Sequence, residues 1–184
     1  MRILAVSGSL RRESYNTQLL RAAEELAPAG VELELYEGLR HVPPYDADDD
    51  GDVVAAPVHD LRTRIAAADA VLFATPEFNS SIPGQLKNAL DWASRPFKTN
   101  SLRNKPVAVV GATTGAYGAV WAQAEVRKVL GSIGARVVDV ELPVAGAEEA
   151  LGGNRLADAE LQRRLARILA ELVEAARDRH LIAA

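Results

Sequence analysis

Three short runs that are apolar throughout limit most what this chain can fold into: ILAV at Ile3–Val6, AVLFAT at Ala70–Thr75 and VAVVGA at Val107–Ala112. A strand with one wet face alternates polar and apolar residues, whereas one covered on both faces does not, and such strands belong to parallel sheets between two helical layers. Two further runs rich in branched residues, Val31–Tyr36 and Arg136–Val140, read as strands. Segments of helical period lie at Asn16–Leu26, Val58–Ala68, Pro83–Ala93, Val120–Ile133 and Asp158–Arg179. In the last, Leu161, Leu165, Ile168, Leu169, Leu172, Val173 and Ala176 recur at three- and four-residue steps, the stripe of a helix docked on a core. The alternation predicts an α/β fold, a five-stranded parallel sheet with helices on both faces.

Composition narrows the chemistry. A length of 184 residues suits a single domain over 1–184. With no cysteine at all, a disulfide framework, a thiolate nucleophile and a Cys-bound metal are excluded, so redox chemistry would need a borrowed cofactor. The apolar run behind Arg2 is too short for a signal-peptide core or a membrane span, and a cytoplasmic protein is expected. A net charge of -4 with scattered Lys and Arg predicts no nucleic-acid and no membrane partner. The stretch His41–Pro57, with three prolines and the run Asp48–Asp50, reads as an exposed loop and fails the calcium-loop pattern. His41, His59 and His180 are isolated and are expected at the surface.

A doubly wound sheet binds ligands at the carboxyl ends of its strands, which directs attention to the loops after strands one, three and four. The first, Ser7 to Thr17, is dense in hydroxyl residues and opens a helix, where unpaired backbone N–H groups and the helix dipole favour an anion. Ser9, Ser14 and Thr17 add hydroxyls and Arg11 a guanidinium, a set suited to a phosphate monoester; Ser14 or Asn16 serving only as a helix cap is the competing reading. The second, Thr75 to Gly84, is stiffened by Pro76 and Pro83 and suits either the edge of a flat heterocycle or a plain connector. The third, Gly111 to Ala119, is small and glycine-rich, a flexible turn or a place of close backbone approach. Neither G-x-G-x-x-G nor G-x-x-x-x-G-K-[ST] is present, which argues against an ordinary dinucleotide dehydrogenase or an NTPase. Thr75 stands where a phosphorylatable receiver domain would carry aspartate.

Taken together, Gly8-Ser9-Leu10-Arg11, Ser14, Asn16-Thr17, Thr75-Pro76-Glu77-Phe78-Asn79 and Ser81 through Trp92 resemble the NADPH-dependent FMN reductase family, which includes quinone, chromate and azo-dye reductases. The resemblance implies a flavodoxin-like fold with strand order 2-1-3-4-5 and an enzyme that passes hydride from NADPH or NADH to FMN and on to a small acceptor. By it, Ser9, Arg11, Ser14, Asn16 and Thr17 would hold the FMN phosphate. Pro76, Glu77, Phe78 and Asn79 would border the flavin ring with their backbone amides, and Thr113, Thr114, Gly115 and Gly118 would close the other side. It also implies ping-pong kinetics, no catalytic side chain and a homodimer or homotetramer, with the helix Gln85–Trp92 and the segment after Gly118 near the interface. Trp92, off the apolar stripe of Leu86, Ala89 and Leu90, would then need cover from a second subunit or from its own. The family usually carries Tyr where this chain has Phe78, and paired glycines with a following arginine where it has Tyr117-Gly118. A flavodoxin-type electron carrier without a nicotinamide site, and a flavin-free module of the same fold, stay open as alternatives.

Overall fold

The computed structural model describes residues 1–183, and side chains for 1–179, so the side chain of His180 lies outside the described residues. Three strands fall on the apolar runs, β1 (Arg2–Ser7), β3 (Ala70–Thr75) and β4 (Pro106–Ala112), and β2 (Glu32–Tyr36) falls on the run Val31–Tyr36. The helices α1 (Tyr15–Glu25), α2 (Ala56–Ala67), α3 (Gly84–Ala93) and α4 (Val120–Ile133) alternate with them. The strands pair in parallel in the order β2-β1-β3-β4-β5, the last being β5 (Arg136–Val137).

Both faces of the sheet are covered, which explains the missing polar alternation. Ile3, Ala5, Leu72, Ala74, Ala108 and Val110 pack under α1 and the C-terminal helix α6 (Ala159–Ala183). Their neighbours Leu4, Val6, Val71, Phe73, Val107 and Val109 pack under α2, α3 and α4. Burying each such Leu, Val or Phe side chain is worth about 1.5–3 kcal/mol, so these strands hold their register firmly. That register sets Ser7 beside Ala74, and Thr75 beside Gly111, so three strand ends open on one edge.

The fifth strand differs from the continuous Arg136–Val140 expected. The chain pairs with Pro106–Val107 as β5, leaves the sheet, and returns as β6 (Pro143–Val144) beside Gly111–Ala112. Side chains of α4 take over the lost ladder bonds: the Arg127 guanidinium donates to the Val140 carbonyl, and the buried Gln123 amide oxygen accepts from Leu142 N at 3.3 Å. Residues after β6 form two elements that carried no clear period, α5 (Ala147–Ala150) and a small hairpin of β7 (Leu151–Gly152) and β8 (Arg155–Leu156).

The stretch from His41, read as an exposed loop, is largely exposed, but its first residues up to Tyr45 are strapped to α3. It follows a 3₁₀ turn at Gly38–His41 and ends in α2, whose first turn contains Pro57. Gln85 donates to the Leu39 and Val42 carbonyls at 2.8 Å each. Asn88 donates to Pro43 O at 2.8 Å and accepts from Tyr45 N at 2.7 Å. Trp92 Nε1 donates to the same Pro43 carbonyl at 2.9 Å. The cover that Trp92 needed therefore comes from its own chain: it is 1% exposed, with the Tyr45 ring edge-on at 4.9 Å. Among the described residues no helix is long and apolar enough to cross a membrane.

Candidate functional site

At the shared strand edge lies a cleft of about 270 Å³. Of the residues expected there, Ser9, Arg11, Ser14, Asn16, Pro76, Glu77, Phe78, Thr113 and Thr114 line it, joined by Tyr15, Ala112 and Glu148. Among the described residues its walls do not include Thr17, Asn79, Gly115 or Gly118.

The β1–α1 loop turns back under Gly8, whose N–H donates to Ala74 O at 2.8 Å. A Cβ there would lie 2.8 Å from Leu86 Cδ2, so glycine lets this loop close on β3 and α3 without displacing the buried Leu86 side chain. Ser14 caps α1, its Oγ accepting from Thr17 N at 3.3 Å. Likewise Ser9 Oγ accepts from Arg11 N at 3.3 Å. In both residues a backbone N–H fills the oxygen, which leaves the hydroxyl hydrogen to donate outward. Helix geometry leaves the amides of Tyr15 and Asn16 without intrahelical acceptors. The Arg11 guanidinium lies 4.8 Å above the Tyr15 ring and makes no ion pair among the described residues. This end of the cleft is thus a cluster of donors, which suits a ligand group that offers only acceptors.

Two residues assigned to that cluster have other tasks. The amide of Asn16, 2% exposed, donates to Ala112 O at 2.9 Å and accepts from Ala112 N at 3.0 Å, so it clips α1 to the end of β4. The Thr17 hydroxyl donates to Ser7 Oγ at 3.0 Å, inside the loop.

The β3–α3 loop forms the second wall. Phe78 N donates to Ser81 O at 3.2 Å and Ser81 N returns a bond to Phe78 O at 3.1 Å. Asn79 (φ 53°) and Ser80 (φ 59°) form the left-handed tip of this hairpin. Pro76 has no N–H and that of Phe78 is engaged in the turn. Within residues 76–79 only Glu77 and Asn79 therefore keep an amide for a ligand edge, fewer than expected. The Glu77 carboxylate accepts from Trp121 N and Ala122 N, both at 3.0 Å, and so caps α4, whose own cap residue Ala119 supplies no side-chain bond. A second suture joins the same elements: Ser81 Oγ and Ile82 N donate to Glu125, holding its carboxyl below the usual carboxylate range.

The third wall is Ala112, Thr113 and Thr114. Thr113 is fixed through its backbone, donating to Val144 O and accepting from Ala147 N, both at 3.0 Å. Gly115 O accepts from Gly146 N at 3.2 Å, and Gly118 (φ +56°) packs so closely on Pro143 that a Cβ would sit 2.5 Å from its carbonyl carbon. These glycines shape the loop rather than the cleft. Tyr15 and Glu148 are the side chains that sequence reasoning missed. Tyr15 was signalled by its place directly after the capping Ser14; Glu148 lay in a segment with no readable period.

The model of the NADPH-dependent FMN reductase family matches residues 1–149. Curated relatives include an NAD(P)H-dependent FMN reductase of Pseudomonas aeruginosa, 43% identical over 130 residues, covering 71% of this chain and 69% of that protein. A quinone reductase of Pseudomonas putida is 40% identical over 152 residues, covering 82% and 77%. Among solved structures, the flavoenzyme NAD(P)H:(acceptor) oxidoreductase FerB of Paracoccus denitrificans superposes with a TM-score of 0.84 at 33% identity, over 97% of this chain and 98% of that one. Fold, strand edge and motifs agree with these matches, and this chain belongs to the NADPH-dependent FMN reductase family, oxidoreductases of flavodoxin-like fold.

Proposed function

We propose that residues 1–184 act as one cytoplasmic domain that holds FMN and uses NADH or NADPH to reduce a small acceptor. The observation that carries this reading is the donor cluster of Ser9, Arg11, Ser14 and the start of α1, set in one cleft with the proline-stiffened wall of Pro76 to Phe78. A phosphate monoester offers acceptors and negative charge to the first, and a flat ring offers a face to the second. FMN held there would supply the redox chemistry, hydride acceptance from the nicotinamide and delivery of two electrons, with protons from solvent, to a quinone, free flavin, azo compound or metal oxyanion.

The chain's own residues bind and orient. Arg11, Ser9 and Ser14 anchor the phosphate, while the amide of Glu77, a residue of the cleft wall, is free to meet the ring edge and favour negative charge there. No side chain is assigned as acid, base or nucleophile. His59 faces Thr63 on α2, and among the described residues neither it nor His41 lines the cleft. One open face serving nicotinamide and acceptor in turn gives ping-pong kinetics, and the quinone reductases among the relatives favour a quinone.

The enzyme acts as a homodimer or a pair of dimers. With Trp92 covered internally, the supporting surface shifts to exposed aromatics, Phe78 of the cleft wall and Tyr117 and Trp121 around the start of α4, which are 57%, 64% and 46% exposed, the last two rings 4.9 Å apart. Sedimentation at micromolar concentration should give at least a dimer, and a monomer with full quinone reduction would refute this part alone. The deciding experiment for the whole reading is titration of flavin-free protein with FMN. Saturable binding and flavin absorbance are expected; no binding at tens of micromolar FMN would overturn it.

A further inference from the structure

The cleft holds two carboxylates, and they differ in what occupies them. Glu77 is engaged by two backbone amides of α4. Glu148 lines the cleft, yet its carboxylate makes no hydrogen bond and no ion pair among the described residues. Its side chain is exposed, but the turn that carries it is anchored: Ala147 N donates to Thr113 O at 3.0 Å and Gly146 N donates to Gly115 O at 3.2 Å. Ala147 beside it is fully buried, so Glu148 is carried on an anchored turn rather than on a free loop.

The cation of the same cleft, Arg11, stacks on Tyr15 but makes no ion pair among the described residues either, and the two do not pair although they line one cavity. Both side chains are exposed, and the cleft presents a donor end at Arg11 and an acceptor end at Glu148. A phosphate satisfies only the first. Water fills the oxygens of the exposed Glu148 in the free protein, and a ligand group rich in O–H donors can replace that water without the cost of bringing a second anion near the carboxylate. We infer that Glu148 is a specificity-determining residue that accepts hydrogen bonds from the hydroxyls of a polyhydroxylated ligand chain. With the FMN reading, on which this rests, that chain is the ribityl segment between phosphate and ring.

The test compares three flavins on flavin-free protein by fluorescence quenching: FMN, riboflavin, which lacks the phosphate, and lumiflavin, which lacks the ribityl chain. Glu148→Ala should weaken riboflavin and FMN alike by about tenfold or more, the range for hydrogen bonds to a charged group, and leave lumiflavin within about twofold. Glu148→Gln, which keeps an acceptor oxygen without the charge, should fall between. Glu149→Ala, one residue further along the same helix, should leave all three unchanged and so reports any general damage to α5. Equal losses for riboflavin and lumiflavin, or no loss for riboflavin, overturn the role of Glu148 while FMN binding by the unaltered protein stands. Failure of the unaltered protein to bind any of the three overturns the FMN reading itself, and this inference with it.

Discussion

The two segments that carry the family resemblance, residues 7–17 and 75–92, meet at one cleft but employ their polar side chains in opposite ways. In the longer one nearly every polar group is engaged by the protein itself: Glu77 caps α4, Ser81 holds Glu125, and Gln85, Asn88 and Trp92 strap residues 39–45 to α3. In the shorter one Asn16 and Thr17 are also held within the protein, but Ser9 and Ser14 have their oxygens filled from behind and their hydrogens free, with Arg11 stacked on Tyr15 and without an ion-pair partner among the described residues. The more distinctive motif is therefore mainly scaffold, and the plainer loop is the one whose donors stay open to the cleft. A long motif recurs when many contacts within one protein must be met at once, whereas an anion site needs only a helix start and a few donors.

The contrast breaks most visibly at Trp92. Trp92→Ala removes a buried ring, its bond to Pro43 O and its contact with Tyr45, and should cost about 3–5 kcal/mol of stability in urea denaturation. The FMN affinity of the folded fraction should stay within about twofold, because the strap lies behind the cleft. A loss of affinity without a loss of stability would reverse the roles drawn for the two segments. Arg11→Ala is the mirror case. Unfolding should be nearly unchanged, while FMN binding weakens by about 1.5–3 kcal/mol, the usual worth of a hydrogen bond to a charged group. Riboflavin affinity should hardly move, and equal losses for both flavins would place Arg11 away from the phosphate.

Glu77 stands on the boundary, since it lines the cleft and caps a helix. Glu77→Ala should destabilise by about 1–2 kcal/mol as a lost cap, with Glu77→Gln recovering part because its amide oxygen still accepts. Calorimetry that shows no change for either variant would mean that its carboxylate is held for the ligand instead.

These roles were only half legible in the letters. The sheet could be read because uninterrupted apolar runs have one explanation, burial on both faces, and the cleft followed from the strand edge. The commitment of each polar group could not be read, because it depends on partners distant in sequence: Asn16 meets Ala112, Glu77 meets α4, and Gln123 takes up Leu142 N where the fifth strand breaks. Lys105 makes the same point. It is 1% exposed, donates to the carbonyls of Ala66 and Ala68 at the end of α2, and is pushed down to about 8 by burial, yet nothing beside it in sequence marks it as interior. The hairpin over residues 151–156 did leave a signal in Gly153-Asn154, both of positive φ, but its strands are too short to show a period.

The smallest expected effect tests whether the hairpin tip belongs to scaffold or site. Asn79 and Ser80 both sit in the left-handed region, which asparagine tolerates and serine does not, and the second central position of such a turn favours glycine. Ser80→Gly relieves a strain of about 1–2 kcal/mol and loses part of it to the greater freedom of glycine in the unfolded chain, leaving a gain of about 0.5 kcal/mol. A rise in thermal midpoint should therefore accompany unchanged FMN affinity, because among the described residues neither tip residue walls the cleft. A fall in FMN affinity despite the gain in stability would show that the strained tip is held for the ligand, and would move residues 79–80 from the scaffold side of the comparison to the binding side.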